Sequence, residues 1–184
     1  DEQLAAIEAR KQKQLALDMH LLDLKKLNKL SYRVMSSSVD LCNDDVSKSS
    51  GAFFFNKYSL PEDFQEVLSP TMQSERVQIF QVVANSPAQS AGLEKGDLIL
   101  KIDDKSVPEG KSAMADFSEL FNEAIKNKSQ INFDIIRGTE EKSFFVKLEP
   151  TCDYRVLMNS NDIINAFADG DNVVITKGMM RFAK

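Results

Sequence analysis

Residues 77–104, VQIFQVVANSPAQSAGLEKGDLILKIDD, leave this chain little conformational freedom. Residues 77–83 are apolar and rich in β-branched side chains at sheet-like spacing, which predicts a strand. Ser86 then fits an N-cap and Pro87 the first helical position. Gly92 suits the left-handed residue that closes a helix of one or two turns. Ala88, Ala91 and Leu93 give that helix a packing side. Gly96-Asp97 reads as a tight turn, residues 98–102 as a second strand, and Asp103-Asp104-Lys105 as the next turn. A strand, a short capped helix and a second strand in so few residues admit few folds.

The pattern SPAxxAGLxxGDxIxxI within this stretch resembles the central signature of PDZ domains, especially those attached to bacterial proteases. The flanks agree with that order. Ala52-Phe53-Phe54-Phe55 reads as a short buried first strand. Ser59 and Glu62 stand at capping-box spacing and open a helix to about Leu68, stopped by Pro70. After a loop over 106–112, a helix over 113–126 carries Phe117, Leu120, Phe121, Ala124 and Ile125 on one face. Strands over 130–136 and 142–148, joined across 137–140, close a domain over 51–150. The fold class expected is α+β, built on a PDZ-like, partly open β-barrel with two capping helices.

In that family an extended peptide adds to a sheet edge beside a helix, its side chains entering apolar pockets. The resemblance places Val77, Ile79, Gln81, Phe117 and Phe121 along such a groove, with an extended peptide or unfolded protein segment as partner. The family's carboxylate-binding loop, of pattern GLGF, is expected just before Val77. Residues 71–76 there hold no glycine, and Glu75 opposes an anion, so the resemblance does not extend to free C-termini. A groove filled by the protein's own side chains or by a neighbouring segment is the other reading.

The first fifty residues contain neither glycine nor proline, which permits one long helix. Leu17, Leu21, Leu24, Leu27, Leu30 and Val34 follow three- and four-residue steps and share a face. That face either packs on the domain that follows or supports self-association through the helix. Ser36-Ser37-Ser38 weakens the helix, which is expected to end near Cys42, with a polar loop over 43–50. His20, the single histidine, reads as a surface or core-edge residue among Met19, Leu21 and Leu22.

Beyond Pro150, strands are expected over 154–158, 165–168 and 172–176, with Asp169-Gly170-Asp171 as a hairpin turn and a helix opening at Met179. Residues 151–184 read as a β-hairpin fragment opening a truncated second domain. The segment INAFADGDNVVITKGMMRF resembles the start of the catalytic domain in the zinc metallopeptidase family that includes HtpX and the CAAX prenyl proteases. Asn165, Ala166, Phe167 and Ala168, with residues 174–178, carry the resemblance. It implies a hairpin beside an active cleft, with Asn165 to Ala168 able to pair with substrate backbone. It also implies zinc, held by an HExxH helix, in a parent protein continuing past residue 184. No HExxH lies in these residues, so no catalytic, metal-binding or cofactor-binding residue is assigned within the chain.

A net charge of −5 and no basic stripe argue against a nucleic-acid partner. No apolar run approaches the roughly 20 residues a membrane span needs, so an anchor is expected only through a missing upstream segment. Cys42 and Cys152 are the only cysteines and lie just outside the two ends of the PDZ-like domain. Domain termini are often close together, so the pair is expected to form a disulfide, which suits a bacterial periplasm or cell envelope. The function expected is the regulatory or substrate-binding portion of a zinc-dependent metalloendopeptidase of the envelope. The alternative is a non-enzymatic PDZ adaptor or scaffold.

Overall fold

The structure is a computed structural model that describes residues 2–42 and 44–182. In chain order its elements are α1 (Glu2–Ser37), β1 (Val46–Ser49), β2 (Ala52–Phe55), α2 (Glu62–Gln65), β3 (Gln78–Val82), α3 (Pro87–Ala91), β4 (Leu98–Ile102) and β5 (Lys105–Ser106). There follow α4 (Ala113–Asn127), β6 (Gln130–Arg137), β7 (Glu140–Lys147), β8 (Glu149–Cys152), β9 (Arg155–Asn159), β10 (Ala166–Ala168), β11 (Asn172–Thr176) and α5 (Lys177–Phe182). The chain divides into two compact units, one of residues up to 18 with 49–149, the other of residues 19–48 with those from 150 onward.

The first unit is an antiparallel sheet in the order β2-β3-β4-β6-β7, with β5 paired to β4, and it takes the PDZ-like form expected. Its core follows from strict alternation. In β6, Ile131, Phe133 and Ile135 are fully buried, while Gln130, Asn132 and Asp134 point away. These three residues join Val77, Ile79, Ile99, Ile102 and Val146 beneath Phe117 and Ala124 of α4.

The turn chemistry read from 86–97 is present in detail. Ser86 Oγ accepts from the Gln89 N–H, Pro87 sits in the first turn of α3, and Gly92 ends it with φ 94°. A Cβ on Gly92 would also press on the Phe144 ring at 3.3 Å. Asp97, fully buried, accepts from the Glu94 N–H at 2.8 Å and takes a two-point contact from Arg137 Nε and Nη2, each at 2.7 Å. Arg137 also donates to the Gly92 carbonyl at 2.8 Å. One guanidinium therefore ties the β6–β7 hairpin to both ends of the glycine-bounded turn.

Two local expectations differ from what is seen. Ser59 does not cap a helix with Glu62. It pairs with Asn56 across a 3-10 turn over Lys57–Ser59, and α2, entered through Pro61 with ψ 145°, is only four residues long. Residues 46–49, expected in a loop, form β1 and pair with β8.

In the second unit, α1 ends at Ser37 and a 3-10 turn over Val39–Leu41 leads to Cys42, close to the expected stop. Leu27 and Tyr32 are buried there, whereas Leu30 and Val34 are exposed. Cys42 and Cys152 form the expected disulfide, with Cα atoms 5.7 Å apart. The three late strands make a sheet in the order β10-β11-β9, with β11 parallel to β9 and antiparallel to β10. Thr176 holds the entry to this hairpin. Its Oγ1 donates to the Asn165 carbonyl at 2.8 Å and accepts from the Asn165 and Met179 N–H groups at 3.1 and 3.2 Å. Gly178 follows because an added Cβ would lie 2.1 Å from the Asp162 carbonyl oxygen.

Candidate peptide-binding edge

The groove strand expected at residues 77–83 is not at an edge. β3 pairs with β2 on one side, Phe53 opposite Gln81 and Phe54 opposite Ile79. On its other side Gln78 faces Leu98, the Ile79 N–H donates to the Asp97 carbonyl at 2.9 Å, and the Ile99 N–H donates to the Val77 carbonyl at 2.8 Å. Val77 and Ile79 are fully buried in the core, so neither can touch a peptide. Gln81 also lies inside the sheet, half-buried. The short Ala52–Phe55 strand lies outside β3, at the end of the sheet.

The unpaired edge belongs to β2, and α4 lies against it. The Phe54 ring sits 4.6 Å from Phe117, 5.8 Å from Phe121 and 5.9 Å from Phe133, centroid to centroid, and Phe117 stacks on Phe121 at 5.7 Å. Phe117 and Phe121, placed on the groove with Val77, Ile79 and Gln81 by the resemblance, instead meet Phe54 of β2. The rings form a floor beside the free edge. Phe55 points to the opposite face and meets Phe80 edge-on at 5.4 Å.

Two anchors fix β2. At its C-terminal end Asn56, fully buried, donates from Nδ2 to the Glu75 and Gly110 carbonyls at 3.1 Å each and accepts at Oδ1 from the Tyr58 N–H at 3.1 Å. This sets the strand against the loop that enters α4. At its N-terminal end the Val83 N–H donates to the Gly51 carbonyl at 2.9 Å and the Ala88 N–H to the Ser50 carbonyl at 2.8 Å. Neither anchor was singled out from sequence. Ser50-Gly51 ahead of an apolar run was the available signal, since Gly51 takes φ 72° at the entry to the strand.

Residues 71–76, where the family's carboxylate-binding loop is expected but no glycine stands, brace the structure. The Lys57 N–H donates to the Ser74 carbonyl at 3.0 Å. The Glu75 carboxylate accepts from Lys57 Nζ and Tyr58 Oη, and the bond from Lys57 holds its pKa below the usual glutamate range.

The sheet's other edge is β7, which is lined by Glu140, Glu141, Lys142 and Lys147. Charged side chains of this kind protect an edge from pairing, whereas β2 carries no charge. A cavity of about 160 Å³ lies at the C-terminal end of α4, away from β2, and is bridged by the Lys105–Glu123 and Lys128–Asp103 ion pairs.

In the second unit Asn165, Ala166, Phe167 and Ala168 are all exposed, and the last three form the outer strand β10. The backbone of Asn165 is committed to Thr176. Among the described residues no group of three His, Cys, Asp or Glu side chains is placed to hold a metal ion. No described helix is long and apolar enough to cross a membrane.

Residues 67–148 match the PDZ domain family model. A serine protease of Mus musculus, HTRA3, is 33% identical over 73 residues, which are 40% of this chain and 14% of that protein's length. Among solved structures, the HtrA3 PDZ domain bound to a phage-derived ligand (FGRWV) shares 19% identity, with TM-score 0.42 over 57% of this chain and 88% of that one. The HtrA-type protease AlgW with a decapeptide shares 17%, with TM-score 0.42 over 62% and 32%. The capped-helix signature, the antiparallel sheet around it and the family match together identify residues 67–148 as a PDZ domain, with β2 completing the edge of its sheet.

Proposed function

We propose that this chain binds an extended peptide or unfolded protein segment as an added strand on β2, with side chains resting on the floor of Phe54, Phe117 and Phe121. The observation that carries this reading is an uncharged, one-sided edge strand in contact with the aromatic face of α4. Main-chain hydrogen bonds to the edge supply affinity with little sequence demand, and the ring floor favours apolar side chains. Permanently unfolded carboxymethylated α-lactalbumin tests it by fluorescence anisotropy on the full chain. Phe121→Glu, at a half-buried position, should weaken binding about tenfold or more by placing a charge against apolar side chains. An unchanged affinity overturns the reading.

The same proposal extends to the parent protein. The pattern at Asn165 to Ala168 and 174–178 supports a role as the substrate-handling part of an HtpX-like zinc metallopeptidase. The disulfide supports an oxidising compartment, periplasm or cell envelope. The similarity to HTRA3 is confined to 73 residues and leaves the type of peptidase open. Reading the parent gene beyond the codon for Lys184 decides the matter. HExxH within the first following helices supports the metallopeptidase, and a continuation without it promotes an adaptor that binds peptides without cleaving them.

A further inference from the structure

We infer that the β2 edge takes internal chain segments rather than free C-termini, an inference that rests on the peptide-binding reading above. A strand added antiparallel to β2 runs its C-terminal side toward the loop that enters β2, namely Ser49-Ser50-Gly51. A terminal carboxylate is captured at such a place by converging backbone N–H groups. Here those donors are already used. The Gly51 N–H donates to Ser49 Oγ at 3.0 Å and the Ala52 N–H to Ser50 Oγ at 3.2 Å.

The loop is also held from turning those groups outward. Ser50 is 1% exposed, and its carbonyl accepts from the Ala88 N–H at 2.8 Å. The Gly51 carbonyl accepts from the Val83 N–H at 2.9 Å. A carboxylate arriving here would lose water and gain no free backbone donor at Gly51 or Ala52, a net cost. A chain that continues past the loop brings no such charge. The edge therefore selects segments by their extended backbone and apolar side chains, as exposed by an unfolded protein, and disfavours a free carboxylate at the loop.

The test presents a random heptapeptide library to the full chain in two formats, one ending in a free carboxylate and one flanked by spacers on both sides. Enrichment from the flanked format is expected. An enriched sequence, resynthesised as free acid and as C-terminal amide, should bind no more tightly as the acid than as the amide. Ser49→Ala, which frees the Gly51 N–H, should then favour the acid over the amide by about tenfold, the worth of one charge-assisted bond. A tenfold acid preference in the unaltered chain, or no gain in Ser49→Ala, overturns the inference while leaving the groove intact. No enrichment in either format overturns the groove itself and this inference with it.

Discussion

Single residues decide most of the local geometry, and the pair Asp97 and Arg137 is the clearest case. Asp97 is 1% exposed and Arg137 about a quarter exposed, so the carboxylate depends on the guanidinium and the Glu94 N–H for its solvation. Asp97→Ala strands the guanidinium and frees the turn that carries Gly96. It should cost about 3 kcal/mol in urea unfolding of the full chain, with Asp97→Asn intermediate. His20 gives a second prediction. Burial, assisted by the nearby Lys177 charge, lowers its pKa below the ordinary imidazole value. The unfolded chain then binds the proton more readily than the folded one. The contribution of His20 is therefore fully present above about pH 6.5 and is lost as pH falls through the folded-state pKa. Urea midpoints at pH 7 and pH 5 should differ less in His20→Gln than in the unaltered chain.

At the scale of elements, Gly178 opens α5 against the backbone of Asp162 and Ile163. Gly178→Ala puts a methyl carbon where the Asp162 carbonyl lies and cannot be absorbed by a side-chain rotation. Hydrogen exchange of β11 amides should accelerate at least tenfold in that variant, while β6 amides keep their protection. The elements also show how far sequence reasoning reaches. The stretch from Ser86 to Asp97 was legible because caps and left-handed glycines act through neighbours in sequence. The hairpin at 166–176 was legible for the same reason. The groove strand was not, because edge position is a non-local property. Val77 and Ile79 have the stronger strand pattern, and that pattern marks them as central, paired on both sides. Phe54 was read as buried core, and only its contact with Phe117 reveals which strand borders α4. Asn56 was missed since its partners, Glu75 and Gly110, lie 19 and 54 residues away.

For the whole molecule, residues 49–149 are inserted between Cys42 and Cys152, and the disulfide closes a loop of 110 residues. Chain entropy assigns such a closure about 4–5 kcal/mol, most of it through the unfolded chain. Dithiothreitol should accordingly lower the urea midpoint, and Cys42→Ala with Cys152→Ala should reproduce the drop without added reductant. Binding of an extended segment at the free edge of β2, as proposed above, is a separate matter from the stability of the chain. Amide hydrogen exchange of the full chain, with and without saturating carboxymethylated α-lactalbumin, tests it most directly. Added protection is expected at Ala52 to Phe55 and none at β7. Protection confined to β7 or β10, with β2 unchanged at saturation, would contradict it.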